Sequence, residues 1–432
     1  MTEICVTSTE STAKASTWTA MHAKRSKIGV AYFDNANSTQ VDERVIEAML
    51  PYFREYYGTA GLELSHSRDV AALRGLETAR KIVADSLNAD PRAIVFTSGS
   101  TESNNLAIRG TAIANKKRGK HIITTPIEHQ SVLESCRRLS DAGYDISYLR
   151  VDEYGLVDID ELLSTIRKDT QLISVQHANG EIGTLQPIGE IAKIAAEKDI
   201  MFHTDATHTF LKVPIDTEAN SVNLITLDGH HIHGPKGIGA LFIRRKTRIT
   251  KVMEGGDEER RLRPGVENIP AAVGLGKAIE IWGENDTEYL LSLRHHMEKR
   301  ISESLTGFKI TGHPVNRVPH ILSMVIEMIE GEAILVHLDM EGFAVSTGSA
   351  CSSKTLTGSH VLKAIGLPPE ISHGSVRASF SRFNTKEEIE DFVEALVPVV
   401  ERLREFSPLR TGGYFAEADE NDHHHDLPDD DW

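Results

Sequence analysis

Short apolar segments alternate with longer amphipathic segments along most of the chain. Apolar residues at 94–96, 121–125 and 172–177 predict buried strands, whereas the spacing of apolar residues at 70–87 and 188–197 predicts helices. Strands that alternate with helices pair in parallel, and the helices then cover both faces of the sheet. The pattern therefore predicts an α/β fold with a mainly parallel sheet.

The pattern changes in the last third of the chain. Residues 308–312 and 320–326 are predicted strands, and residues 330–340 and 387–403 are predicted helices, which together indicate a smaller α+β lobe. We expect four parts: a disordered N-terminal tail (1–29), a large α/β domain (30–285) whose N-terminal segment contributes to the pocket, a small α+β domain (286–410) and an acidic disordered tail (411–432).

Residues 224–243 combine two short apolar segments with a glycine-rich connection. The connection contains five ionisable residues, namely Asp228, His230, His231, His233 and Lys236. Ionisable groups and glycines at a strand end mark the place where an α/β protein binds its ligand. The alternative is a glycine-rich hairpin with solvated side chains, and this stretch alone leaves both interpretations open.

A second polar connection follows the predicted strand at 94–96. Residues 97–105 read Thr-Ser-Gly-Ser-Thr-Glu-Ser-Asn-Asn and lead into a helical segment. A turn of this kind can bind an anion through its free backbone N–H groups. The alternative is a well-capped helix start, which Ser and Thr favour in any case.

Composition excludes several classes of protein. The 432 residues carry a net charge of −16, which argues against a nucleic-acid partner held through phosphate contacts. No apolar run is long enough to span a bilayer. The three cysteines, Cys5, Cys136 and Cys351, indicate a reducing compartment rather than a disulfide framework. We therefore expect a cytoplasmic protein, with organellar targeting left open.

Several segments together resemble the cysteine desulfurases of the NifS/IscS type, which are class-V aminotransferases of the fold-type I pyridoxal-phosphate (PLP) enzymes. The segment from Asp228 to Gly237, Asp-Gly-His-His-Ile-His-Gly-Pro-Lys-Gly, is similar to that family's cofactor-lysine segment. Residues 343–353 resemble its mobile cysteine loop, and residues 373–380 resemble its substrate-carboxylate segment. The resemblance covers about residues 30–410 and implies a PLP-transferase-like large domain with a smaller α+β lobe.

The resemblance also implies roles for individual residues. Cys351 would carry sulfur, and His129 would lie over the cofactor ring and move protons. Arg377, Asn179 and Asn37 would contact the substrate. The former cofactor positions are Thr101 at the phosphate, Asp205 at the ring nitrogen, and His208, Asp228, His230, His231 and Val266.

Four of these positions depart from the family pattern. His231 replaces the Schiff-base lysine, and an imidazole cannot form that link because it is not a primary amine. Asp228 replaces a serine that contacts the phosphate, and a carboxylate there would cost several kcal/mol unless it or the phosphate is protonated. Val266 replaces a threonine that reaches the partner's phosphate, and His208 replaces the glutamine at the ring hydroxyl.

These departures lead to the hypothesis that PLP is unlikely and that a metal ion occupies the vacated pocket. The proposed ligands of Fe²⁺ or Zn²⁺ are His129, Asp205, His208 and His231. The protein would then be a metal-dependent enzyme acting on a cysteine-like or other small amino acid. The alternative is that the histidines are neutral, hydrogen-bonded side chains that only fill space after a loss of function.

Two alternatives remain open at this stage. The chain could be a non-catalytic sulfur or Fe–S carrier, or a partner subunit, that uses Cys351. It could also be a PLP-dependent cysteine desulfurase with an atypical site. The resemblance implies a homodimer, with a small amino-acid substrate or a sulfur-acceptor protein as partner and no nucleic acid or membrane.

Overall fold

The computed structural model describes residues 31–60, 66–217, 221–348 and 358–407. Both predicted tails, together with Cys351, lie outside these residues. In chain order the described strands are β1 (Ala31–Tyr32), β2 (Ile94–Thr97), β3 (His121–Thr124), β4 (Asp145–Tyr148), β5 (Thr170–Ser174), β6 (Met201–Asp205), β7 (Leu224–Asp228), β8 (Gly239–Ile243), β9 (Phe308–Ile310), β10 (Ile321–Ile326), β11 (Phe343–Ala344) and β12 (Ser375–Ser379).

The helices mostly connect or follow these strands. In chain order they are α1 (Glu43–Met49), α2 (Pro51–Arg54), α3 (Ser67–Asp85), α4 (Ser100–Asn105), α5 (Thr111–Ala114), α6 (Gln130–Asp141), α7 (Ile159–Thr165), α8 (Ile188–Glu197), α9 (Ile269–Glu280), α10 (Asp286–Ser304), α11 (Gly331–Met340), α12 (His360–Ala364), α13 (Pro369–Ser372) and α14 (Lys386–Phe406). A π-helical turn, Leu106–Gly110, joins α4 to α5, and Pro91–Ala93 and Glu259–Arg261 form short 3₁₀ turns.

Seven strands form the large sheet, in the order β2-β8-β7-β6-β5-β3-β4. Strands β3 to β7 pair in parallel, and β8 runs antiparallel to both β7 and β2. Because β8 is reversed, β2 and β7 point in the same direction. The carboxyl ends of β2, β3, β5, β6 and β7 therefore meet at one edge, where ligands bind in sheets of this kind. The predicted α/β fold with a mainly parallel sheet is confirmed.

The central strands are buried, and β7 and β8 are mainly apolar, because both faces of the sheet are covered. Every residue of β5, β7 and β8 is buried, and Phe202, Ile225 and Leu227 are fully inaccessible to solvent. Continuous apolar strands are typical of parallel sheets that carry helices on both faces. The same segments would have alternated in polarity if one face met water.

A smaller antiparallel sheet, in the order β12-β10-β9, carries the α+β lobe. Helix α14 begins with a capping box, in which Thr385 and Glu388 satisfy each other's backbone N–H groups. Strand β1 pairs with β11, and Phe33 packs against Phe380 and Phe392 of the lobe. The start of the described chain thus joins the C-terminal part, and the division at residue 285 stays a prediction. Among the described helices, none is both long and apolar enough to cross a membrane.

A buried ion pair attaches α3 to the strand that leads into the polar turn at 97–101. The two guanidinium NH₂ groups of Arg80 lie 2.6 and 2.8 Å from the carboxylate oxygens of Glu259. Glu259 also accepts the backbone N–H of Phe96 in β2. Its side chain is only 1% exposed, so the carboxylate depends on this pair for its stability.

Replacing Arg80 by alanine should lower the free energy of unfolding by about 3–5 kcal/mol, because it removes the cation that pairs with the buried Glu259 carboxylate through two hydrogen bonds. Urea denaturation would measure the change. The matched control is Arg92→Ala, which removes an 86% exposed partner of Asp90 and should alter stability little. Equal effects of the two substitutions would contradict the role given to the buried pair.

Candidate functional site

A cavity of about 250 Å³ opens at the carboxyl edge of the large sheet. Most of the predicted site residues border it, although they come from distant parts of the sequence. These residues are Asn37, Thr101, His129, Asn179, Asp205, His208, His230, His231 and Arg377. Two others do not line this cavity: Asp228 lies buried beneath it, and the side chain of Val266 is largely exposed to solvent.

Asp205, the last residue of β6, presents a carboxylate to the cavity. Asn104 donates to Oδ2 at 2.7 Å, while the hydroxyl and backbone N–H of Thr207 donate to Oδ1 at 2.6 and 3.0 Å. Three donors stabilise the charged form of a buried carboxylate and fix its orientation. The site thus holds an oriented anion at the end of a central strand.

The same network extends to His129, which follows β3 and caps the N-terminus of α6. Asn104 donates to the hydroxyl of Ser131, which lies 2.8 Å from Nδ1 of His129. The backbone N–H of Ser131 also donates to Nδ1, at 3.2 Å. Because Nδ1 accepts, the ring proton of neutral His129 lies on Nε2. Asn104 thus donates to both Asp205 and Ser131, and the contacts of Ser131 set the tautomer of His129.

The polar turn after β2 lies at the side of the cavity. Gly99 has φ of +147°, which favours glycine, and Glu102 accepts the backbone N–H of Ser98 at 2.7 Å. Thr101 lies in the first turn of α4 and faces the cavity. A neighbouring cavity of about 310 Å³ is bordered by this turn and by His230 and Lys236. The polar turn therefore borders both the main cavity and this neighbouring cavity.

Arg377 in β12 borders the cavity from the small sheet. Its guanidinium donates to the backbone carbonyl of Gly180 at 2.8 Å and to Asp34 at 3.2 Å, and its buried Nε has no hydrogen-bond partner. The side chain of Asn37 donates to the other oxygen of Asp34 at 2.9 Å. Arg377 is therefore oriented by its neighbours and suited to pair with a small carboxylate.

Asn179 makes local contacts that its predicted substrate role did not anticipate. Its amide donates to the carbonyl of Ile127 at 2.9 Å, and its side-chain oxygen accepts the N–H groups of Glu181 and Ile182. These bonds hold the turn after β5 against the loop after β3. Asn179 borders the cavity, but the hydrogen bonds of its side chain are made with backbone groups.

The connection between β7 and β8 is tight, and its glycines are required. A Cβ at Gly234 would lie 2.7 Å from the carbonyl of Gly229, and Gly237 has φ of +80°. Within this connection, Nδ1 of His231 lies 2.8 Å from one oxygen of Asp228, and Nδ1 of His230 lies 3.2 Å from the other. The second nitrogen of His231, Nε2, lies 2.9 Å from the carbonyl of Ala36.

These contacts change the expectation for Asp228. Burial alone would raise the pKa of this carboxyl, but the adjacent His231 and His230 hold it well below its usual range. Its side chain is fully buried and borders neither the main cavity nor the one beside the polar turn. The carboxylate oxygens therefore face the two imidazoles, and the place of Asp228 among the former cofactor positions stays a prediction.

The four predicted metal ligands border one cavity without forming a common ligand group. Among the described residues, the side chains whose ligand atoms lie within 4.8 Å of one another are Asp228, His230 and His231. These atoms already meet as hydrogen-bonded or ion-paired neighbours. His208 instead packs its ring 4.8 Å from that of His231, and its buried Nδ1 has no hydrogen-bond partner.

Several buried polar residues at the site escaped the sequence analysis. Burial raises the pKa of Glu128 to about 8 and that of Glu181 to about 7, and both border the cavity. Lys212 is buried and donates to the backbone carbonyl of His231 at 2.9 Å. Its position in the apolar segment 210–213 was an available signal, since a lysine there needs a buried partner.

The cavity residues fit PLP held without a covalent bond, the cofactor that the resemblance implies. Asp205 is oriented to pair with a ring nitrogen, and the turn with Thr101 lies next to open space. They do not fit a Schiff base at position 231, which is an imidazole. Within the described ranges no amine lines this cavity: Lys212 points at a backbone carbonyl and Lys236 borders the neighbouring cavity.

Comparisons with known proteins identify the relatives of this chain. The sequence matches the family "Aminotransferase class-V" over residues 31–392. It is 45% identical over 386 residues to "Cysteine desulfurase IscS" of Methanosarcina thermophila, covering 89% of this chain and 95% of that protein. It is 41% identical over 384 residues to "Cysteine desulfurase" of Homo sapiens, covering 88% and 83%.

Solved structures agree with these relatives. A "NifS-like protein" has a TM-score of 0.81 at 34% identity and covers 87% of this chain and 100% of its own. The structure titled "SspA in complex with cysteine" has a TM-score of 0.74 at 35% identity and covers 82% and 100%. The predicted PLP-transferase-like fold is therefore confirmed.

The cofactor prediction, by contrast, was wrong. The relatives are cysteine desulfurases, which are PLP-dependent, so the expectation that PLP is unlikely does not hold, and the Fe²⁺ or Zn²⁺ hypothesis has no support. The hypothesis gave too much weight to His231 and too little to Asp205 and Thr101, which both line the cavity. The match over residues 31–392 and the identity to these relatives show that the chain belongs to the class-V aminotransferase family, as a cysteine-desulfurase-like member.

Proposed function

We propose that this chain binds PLP without a covalent link and acts on cysteine or a closely related small amino acid. The observation that carries the proposal is that one cavity is bordered both by the oriented Asp205 carboxylate and by the Arg377 guanidinium. The first suits a protonated ring nitrogen and the second suits a substrate carboxylate. A solved relative titled "SspA in complex with cysteine" supports this substrate class.

When bound, PLP supplies an electron sink for the bonds of the substrate's Cα. Asp205, oriented by three hydrogen-bond donors, would pair with the ring nitrogen of bound PLP. His129 presents an N–H at Nε2, set by the contacts of its Nδ1 with Ser131. Arg377 orients the substrate carboxylate through its planar fork.

We further propose Cys351 as the sulfur acceptor, which the family resemblance implies. Cys351 itself lies outside the described residues. The chain on either side of its segment reaches the cavity, through Gly348 before it and His360 after it. These flanks support delivery of sulfur from the cavity to a thiol nearby, and from there to a sulfur-acceptor protein. We also propose a homodimer, as the resemblance implies.

The first test is the mode of PLP binding. Wild-type protein should turn yellow with added PLP and lose the colour on gel filtration, because His231 offers no amine for a covalent link. Borohydride treatment followed by peptide mass analysis should find no pyridoxyl group on the peptide containing residue 231. The His231→Lys, Asp228→Ser double variant should carry that group there.

The control for this test is Lys299→Ala, which removes a 72% exposed amine of α10 that borders neither cavity and should leave PLP uptake unchanged. A pyridoxyl group on another residue of the wild type would contradict non-covalent binding. Failure of the wild type to take up PLP would overturn the proposal and favour the alternative of a sulfur carrier or partner subunit that uses Cys351.

A second test concerns the substrate carboxylate. Arg377→Gln should weaken cysteine binding about 10- to 100-fold, since a charge-assisted hydrogen bond contributes about 1.5–3 kcal/mol. The spectral change of PLP-loaded protein on cysteine titration would measure this. Cysteine methyl ester, which lacks the carboxylate, should bind the wild type and the variant alike. A similar loss with the ester would instead indicate a structural role for the contacts of Arg377 with Asp34 and Gly180.

A further inference from the structure

The imidazole of His231 faces a hydrogen-bond acceptor at each of its two nitrogens. Nδ1 lies 2.8 Å from a carboxylate oxygen of Asp228, and Nε2 lies 2.9 Å from the backbone carbonyl of Ala36. The His231 side chain is 7% exposed and that of Asp228 is fully buried. Water therefore cannot easily replace either partner.

These two contacts fix the number of protons shared by His231 and Asp228. A backbone carbonyl cannot donate, so the Ala36 contact requires a proton on Nε2. An ionised carboxylate also accepts only, so the Asp228 contact requires a proton on Nδ1. A neutral imidazole carries one ring proton and would leave one nitrogen lone pair facing an oxygen lone pair. Together, His231 and Asp228 form a proton-rich pair with no net charge.

The groups around the pair have opposing effects on this protonation. Burial lowers the pKa of His231 and outweighs the raising effect of the Asp228 carboxylate, and the nearby His230 and Lys212 lower it further. What favours the doubly protonated ring is the pair of acceptors at 2.8 and 2.9 Å from its two nitrogens. The ring of His208 faces His231 edge-on, with the ring centroids 4.8 Å apart. Only Asp228 among these neighbours is an anion, so the second proton of His231 depends on that carboxylate.

We propose that Asp228 holds His231 as a doubly protonated imidazolium, and that this imidazolium is the proton donor of the site at the position where the family has its lysine. The donating atom is Nε2, because Nδ1 remains bound to Asp228. Asp228 is a positioning residue, since its carboxylate reaches the cavity only through His231. This inference rests on the proposed function, which supplies the proton acceptor.

The proton balance of the step is simple. The C–S bond of cysteine breaks as its sulfur forms an S–S bond with the Cys351 thiolate, and the electron pair of the C–S bond stays on carbon. The Nε2–H of His231 then leaves the Ala36 carbonyl and transfers its proton to that carbon. The neutral imidazole that remains keeps its proton on Nδ1, bonded to Asp228. A proton from solvent then restores the imidazolium. No oxidant or reductant is consumed, and the product of cysteine is alanine.

The test of the pair requires neither PLP nor activity. Nitrogen-15 NMR of histidine-labelled protein separates imidazolium from neutral imidazole, and loss of one signal set in His231→Gln assigns the residue. From about pH 6 to about pH 8, both nitrogens of His231 should carry protons. In Asp228→Asn the amide can donate to Nδ1, so His231 should become neutral with its proton on Nε2.

A matched control lies in the same spectrum. His203 is equally buried, but its nitrogens meet the hydroxyls of Ser174 and Thr226, which can donate as well as accept. Burial lowers its pKa to about 4, so it should be neutral throughout this range. A neutral His231 in the wild type, with either nitrogen unprotonated, would overturn the proposal.

A second measurement separates this inference from the proposed function. In Asp228→Asn, PLP uptake and cysteine affinity should persist, while alanine formation falls at least about tenfold and its pH profile shifts. Unchanged alanine formation would overturn the role of the pair and leave the proposed function intact. If the wild type takes up no PLP, the proposed function fails, while the NMR result still decides the protonation of His231.

Discussion

The candidate site depends on the shared direction of the strands in the large sheet. Residues more than 100 positions apart, such as Thr101 and Asp205, meet because the strands before them end at the same edge. The reversed β8 preserves this, since it places β7 and β2 in the same direction on either side of it. A one-residue shift of register in one of these strands would turn its side chains to the other face of the sheet.

An aspartate at position 228 would be unfavourable alone, but the imidazoles of His230 and His231 stabilise it. An unpaired buried carboxylate costs several kcal/mol, whereas a well-bonded pair can recover most of that cost. Here both oxygens lie within 3.2 Å of an imidazole nitrogen, and both imidazoles come from the next three residues. The short glycine-bounded connection therefore contains its own charge compensation. Asp228 and His231 are best understood as one change rather than two.

Apolar spacing predicted the strand–helix alternation, and the family resemblance predicted nine of the residues that border the cavity. It did not predict which way Asp228 points, since burial behind His230 depends on the backbone of the whole connection. It also missed Glu128 and Glu181, whose raised pKa values arise from burial by distant segments. The metal hypothesis failed because shared lining of a cavity does not imply shared ligand geometry, which only atomic positions reveal.

Under the proposed function, an imidazole in place of an amine at position 231 changes how the protein would hold PLP. A Schiff base adds a reversible covalent bond to the affinity for PLP, whereas without it the occupancy of the site depends on non-covalent contacts and on the concentration of free PLP. Each tenfold in affinity then requires about 1.4 kcal/mol from contacts such as those of Asp205 and the turn at Thr101. Unlike a lysine amine, an imidazole at this position forms no covalent bond with PLP, so it is free to act in proton transfer throughout the reaction. The buried carboxylate of Asp228 is consistent with that exchange, because a structural space-filler at position 231 would not require an anion beneath it.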